Sequence, residues 1–504
     1  MKRNIIIPGI VVIFSLACSL GGLSANNTQA IPQTDIPLQS EKRCGDGVCD
    51  GPENHGNCPD DCTTQSADDV PADTLATAPM ENNTNSEFRL LYQLAEHTVS
   101  SFDTSGSSCY AFNFRQFLDG GIVRTDGSDN RILSLKDYPT SMVTAQADDR
   151  YFYISSPTNP VSEMFGTSMF NWNVSDQTLW AADFATQNTT SLATATDGRF
   201  PGGLATSPGN RFLIYLLTQS SSENADPTNG FMATNINPFI SDSNLLIADL
   251  INGGEKTAVP NNTNRQLFSS FADFSLDGNS FYTLTREGES FRFVKVELTT
   301  GQVIGFEQVF PGFNWEQLNW DEFFPRENDF AYAHFTISPD ENRLIAYKNI
   351  FTANQQDVCV TAASHHLWVF NLENNTTEKF ENLPGYVSDA DWKFDSSAFA
   401  LALIGNAGCY PDYFDAQIDR FNKDGGDSLT LANEPKSKIT NIGWSPDGRS
   451  IAYDVYGVDY IGRLKLIDVA NQQISEVINT QSIGHEGTPT NPITLLFADW
   501  IPAE

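Results

Sequence analysis

The sequence predicts an all-β fold, a ring of repeated four-stranded antiparallel sheets. Three observations carry that prediction: a short turn motif recurs along the chain, strand-type residues flank each copy, and helical periodicity is absent. The clearest copy is Trp444-Ser445-Pro446-Asp447-Gly448, followed by Ser450-Ile451-Ala452-Tyr453. Ser, Pro and Gly there suit the first, second and fourth places of a type I turn, with Pro fixing φ. An aromatic or β-branched residue before the turn and an apolar run after it make a tight hairpin.

Other copies follow in order. Ile337-Ser338-Pro339-Asp340 and Phe274-Ser275-Leu276-Asp277-Gly278 are close, whereas those around Asp148, Gly209 and Asp395 lose Pro or the Asp-Gly pair. The chain ends on Asp499-Trp500-Ile501-Pro502, a seventh copy cut short. One copy every roughly 50–70 residues leaves room for four short strands, and sheets repeating at that interval imply blades around an axis. Six copies plus a terminal inner strand leave one blade to complete, and residues 108–138 supply three strand candidates for it. The expectation is seven blades closed between the two chain ends, with six as the alternative. Closure removes an open sheet edge that would otherwise pair with other chains.

The motif W-S-P-D-G-x-x-I-A-Y resembles the repeat of TolB-type, WD40-like propellers, and the resemblance covers roughly residues 88–504. It implies the fold and says little of function. Enlarged inter-strand loops, such as Gln219–Asn244, depart from the usual repeat.

Composition bounds the rest. The 504 residues carry 29 Lys and Arg against 63 Asp and Glu, a net charge of −34, which repels nucleic acid and anionic membranes. Residues 1–25 read as an export signal, with Lys2 and Arg3 before a short apolar core. That core is too short to span a bilayer. Ala17-Cys18 resembles the end of a bacterial lipobox, so Cys18 is the candidate lipidation site, the alternative being cleavage near Ala25. A membrane is then approached only through that lipid, at the cell envelope or outside the cell.

Residues 26–43 read as a tether, 44–62 as a Cys-rich module and 63–87 as a flexible linker too poor in apolar residues to fold. Cys44, Cys49, Cys58 and Cys62 staple the module, in one of three connectivities. Asp46, Asp50, Glu53, Asp60 and Asp61 crowd the same segment as hard oxygen donors suited to Ca²⁺, the alternative being a purely disulfide-bonded spacer. Cys359 and Cys409 follow equivalent strands of neighbouring copies and are candidates for a further disulfide, leaving Cys109 alone.

Within the body, Asp273, Asp391 and Asp499 each precede an aromatic residue on an expected inner strand, and His334 lies on the equivalent strand of the fourth copy. Inner strands line a propeller's axis, so these residues are candidates for a cation or basic-ligand site. The alternative is that each Asp accepts from neighbouring backbone N–H groups and fixes blade packing. His365 and His366 are adjacent, which on a strand turns them to opposite sides. No H-E-x-x-H helix, G-x-S-x-G elbow or Gly-rich phosphate loop occurs. The sequence therefore points to a binding or scaffold propeller for a protein or glycan partner. The competing expectations are a metal-dependent lyase of acidic polysaccharide, as some propellers resembling TolB are, and a self-assembling surface subunit.

Overall fold

A computed structural model describes residues 88–104, 107–139, 144–146, 150–157, 177–194, 199–208, 211–219, 244–257, 265–267, 273–287, 290–312, 329–353, 360–380, 383–405, 415–488 and 491–502. The expectations for Cys18, the Cys-rich module with its acidic residues, the linker, Cys359 and Cys409 lie outside them.

The described residues form seven antiparallel sheets, and in six of them the strand that comes first in the chain is the inner one. Blade 1 spans Tyr138 to Thr194, blade 2 Arg199 to Thr257, and blade 3 Arg265 to Gly305. Blade 4 spans Asp329 to Phe380, blade 5 Tyr386 to Pro435, and blade 6 Ser437 to Asn479. Blade 7 joins the two ends of the chain: Ile493–Pro502 is its inner strand, and Phe88–Thr104, Ser107–Arg124 and Arg131–Leu133 complete it. In blades 1 and 3 the inner strand is described as two short pieces.

The seven-blade expectation holds, and so does closure through the termini. Two details differ from the sequence reading. Residues expected as separate strands, around Cys109–Phe114 and Gly120–Arg124, form one strand, because its partner Phe88–Thr104 runs unbroken beside it apart from two bulges. The segment Arg131–Tyr138 is divided between two blades, its first part closing blade 7 and its last opening blade 1.

Each seam between neighbouring blades is apolar. Leu213 and Tyr215 of blade 2 pack with Phe152 and Leu179 of blade 1, and Phe281 and Val296 of blade 3 with Phe212 and Ile247 of blade 2. Phe293 meets Phe335 across the next seam at 5.4 Å. Phe399 and Leu401 join Tyr347 and Val369, Ile451 and Tyr453 join Ile418 and Ala402, Leu90 and Tyr92 join Leu464 and Leu466, and Tyr151 joins Leu91 and Ile122. No blade covers both its faces alone, so burial at the seams, worth about 1.5–3 kcal/mol per large side chain, stabilises the ring as a whole.

The recurring turns share one face. Gly448 N–H donates to Ser445 O at 2.8 Å and Gly278 N–H to Ser275 O at 2.9 Å, the expected turn bonds. The Ser hydroxyl donates to the turn Asp at 2.6 Å in all three of Ser275–Asp277, Ser338–Asp340 and Ser445–Asp447. The fourth residue is left-handed, with φ of +63° at Gly278 and +67° at Gly448. Glu341 and Ser396 hold the same conformation, each with φ of 58°. Both have a reason to be there: Glu341 accepts from Tyr282 Oη at 2.6 Å, and Ser396 Oγ accepts from Asp340 N–H at 2.9 Å, each reaching the preceding blade. By antiparallel connection, the strand ends flanking residues 158–176, 220–243, 313–328, 354–359 and 406–414 lie on the opposite face.

Candidate functional site

An inner strand has a neighbour on one side only, so alternate N–H groups along it face the axis without a ladder partner. In blades 6 and 7 carboxylates of the preceding blade, half-buried or buried, take some of those donors. Asp391 Oδ2 accepts from Trp444 N–H at 2.7 Å and Asp389 Oδ2 from Ile442 N–H at 2.8 Å, so two acids of blade 5 hold alternate donors of blade 6.

Asp454 does the same one seam further on. It stands in the second strand of blade 6, 2% exposed, and its Oδ2 accepts from Phe497 N–H of blade 7 at 2.9 Å. Its Oδ1 accepts from Thr440 N–H at 2.8 Å and Asn441 N–H at 3.2 Å, and Asn441 Nδ2 donates to Oδ2 at 2.7 Å. The pairing of blade 6's inner strand slips between Ile439 and Ile442. Asp454 thus satisfies the donors that this bulge removes from the ladder. Three successive N–H groups, Thr440 to Ile442, end on two carboxylates.

Indole groups stitch in the other direction. Trp392 Nε1 donates to Thr336 O of blade 4 at 3.3 Å, and Trp500 Nε1 to Gly443 O of blade 6 at 3.0 Å. Gly443 is needed there because a Cβ would lie 2.4 Å from the Phe497 ring.

Burial in this cluster disfavours charge. Desolvation pushes Asp389 up to about 7 against its bonds from Ile442 and Ala390, with the nearby Asp454 charge adding to the rise. Desolvation likewise raises Asp454 to about 6 despite its hydrogen bonds, and Asp499, which accepts from Trp500 N–H at 2.7 Å, to about 6. Lys438, on the same inner strand as the bulge, is lowered to about 8 by desolvation, with Asp454 opposing the fall.

Of the residues expected at the axis, Asp391 and Asp499 are found on inner strands of blades 5 and 7. Asp273 and His334 sit on inner strands of blades 3 and 4, and their side chains lie outside the described ones. His366 packs on Trp368 in blade 4, centroids 5.5 Å apart, while His485 lies 3.6 Å from Asp119 after blade 6. Among the described residues no three His, Cys, Asp or Glu side chains converge to hold a metal.

Sequence reasoning missed Asp389, Lys438, Asn441 and Asp454. A signal was present for Asp454, a lone acid inside the apolar run Ser450–Gly457, since a buried charge needs compensating partners.

No family model and no curated protein matches this chain. Among solved structures it is similar to TolB from Acinetobacter baumannii, at 12% identity over 79% of this chain and 82% of that one, TM-score 0.35. It is similar to an oligogalacturonate lyase from Vibrio parahaemolyticus, at 13% identity over 61% and 73%, TM-score 0.38. A prolyl endopeptidase is matched at 9% identity over 75% of this chain and 49% of that one, TM-score 0.43. None of these assigns an activity to this chain.

Proposed function

We propose that this chain is an exported propeller, tethered through Cys18, that binds or scaffolds a protein or glycan partner. The carrying observation is the use made of the axial acids: Asp389, Asp391 and Asp454 each end on backbone N–H groups of the next inner strand. Carboxylates so engaged fasten the ring and leave few lone pairs for a metal or a substrate. The Cys-rich module acts as a spacer, and the long connections between second and third strands, including 220–243, supply the partner surface.

The test is capture from an envelope extract by the full chain, beside an assay for unsaturated products from polygalacturonate with Mn²⁺ or Ca²⁺. Capture by the full chain that is lost when 220–243 is replaced by a short Gly-Ser linker, with no polysaccharide cleaved, supports the reading. Cleavage that depends on the metal would contradict it.

A further inference from the structure

The turn face carries a second feature. The second residue of each described turn stands toward solvent: Pro208, Leu276, Phe394 and Pro446 are exposed and Pro339 is half-buried. The turns of blades 2 and 3, 4 and 5, and 5 and 6 touch, and the turn of blade 4 reaches a strand of blade 3, so these residues follow one another in an arc over blades 2 to 6. A Cβ on Gly278 would lie 2.1 Å from Pro208 O, and one on Gly448 2.4 Å from Lys393 Cε. Asp340 N–H reaches Ser396, and Glu341 reaches Tyr282.

Pro at this position is explained by the turn, which needs a fixed φ. Leu276 and Phe394 are not explained that way. Where Pro is lost in blades 3 and 5, a large apolar residue replaces it at 40% and 53% exposure, though a polar residue would serve the turn as well. The apolar character is kept while the turn-former is given up.

Beside each of four arc residues stands an acid: Asp277, Asp340, Asp395 and Asp447. Burial pushes the first three carboxyls up, yet hydrogen bonds from neighbouring Ser, Asn or Lys outweigh it and hold them below the usual range. They stay ionised at neutral pH. The surface is therefore an apolar arc flanked by acids, of which Asp395 is paired with Lys393 at 2.6 Å and Asp447 with the exposed Arg449 at 3.8 Å, leaving its net charge negative at Asp277 and Asp340.

Charge selects among the occupants. A second copy brings a net charge of −34 to the same face. The chain's own residues 26–87, which precede Phe88 in sequence, hold far more acids than bases. Both are repelled. We infer that the arc of Pro208, Leu276, Pro339, Phe394 and Pro446 docks a cationic peptide segment in which Lys or Arg alternates with apolar side chains. This makes the propeller two-sided, with a site independent of whatever the long connections hold.

The test uses the full chain and a fluorescein-labelled peptide alternating Lys with Leu, followed by anisotropy. The decisive variant is L276S/F394S, which alters no charge and, both side chains being exposed, keeps the wild-type unfolding midpoint. Binding at least about tenfold weaker in the variant, and a similar loss when Ser replaces Leu in the probe, supports the assignment. Equal binding by variant and wild type, or by the Ser-containing probe, overturns it by reducing the attraction to bulk charge. Envelope capture by the same variant separates the two readings, because capture that persists while probe binding is unaltered removes the arc and leaves the partner surface of the long connections standing.

Discussion

Asp391 of blade 5 holds the backbone N–H of Trp444 in blade 6 at 2.7 Å, and this bond crosses a seam between two sheets that share no ladder. Removing the acceptor leaves a buried donor without water. Asp391→Ala is expected to cost about 1–3 kcal/mol, and Asp391→Asn, which keeps an acceptor oxygen, distinctly less. Urea unfolding of the two variants beside the wild type measures both.

Acid is expected to stabilise the ring before it destroys it. Asp389, Asp454 and Asp499 have folded values raised to about 7, 6 and 6, so the folded chain binds protons more readily than the unfolded one above pH ~4. The stability they contribute is present at low pH and lost as pH rises through 6 to 7. Lys438, lowered to about 8, adds no slope below that value. Surface acids held low, such as Asp126, Asp129 and Asp459, work the other way and lose their contribution below pH ~4. Thermal melts should therefore rise by several degrees from pH 8 to 5 and fall steeply below 4, with a smaller rise in Asp389→Asn.

Gly443 marks a close approach of blades 6 and 7, and a Cβ there meets the Phe497 ring at 2.4 Å. Gly443→Ala should destabilise by about 1–3 kcal/mol, as overpacking in a filled core does. Phe497→Leu added to it should recover part of that loss, and a double-mutant cycle on unfolding midpoints reads the coupling.

The left-handed turn positions separate strain from contact. Gly278→Ala and Gly448→Ala share the conformational cost, about 1 kcal/mol each. At Gly278 the new methyl meets the rigid Pro208 carbonyl at 2.1 Å, whereas at Gly448 it meets the mobile end of Lys393. Gly278→Ala should be the more damaging of the two by at least about 1 kcal/mol. Equal losses at the two sites would mean that the approach of blade 2 to blade 3 is looser than 2.1 Å implies.

What was legible in the sequence follows from these contacts. The turns were legible because Ser445, Pro446, Asp447 and Gly448 act within one hairpin, where local chemistry decides the outcome. The ring followed from their repetition. The inter-blade stitches were legible only in part. Asp391 and Asp499 stood out by repeating Ala-Asp-Trp, but Asp389 and Asp454 depend on a bulge at Thr440–Asn441 that no residue type announces. Whether a carboxylate faces a cation or a backbone N–H is set by the register of the next blade, which lies some fifty residues away in the chain and is invisible to a local pattern.

Buried and half-buried carboxylates of one blade cap the inner edge of the next. Amide hydrogen exchange of the intact chain tests it at Ile442, Trp444 and Phe497, whose N–H groups end on Asp389, Asp391 and Asp454. Slow exchange is expected at all three, with Phe497 accelerated in Asp454→Ala while Tyr282 in blade 3 is unchanged. Exchange at the three amides as fast as in the exposed turns, or a Phe497 rate indifferent to Asp454, would contradict it.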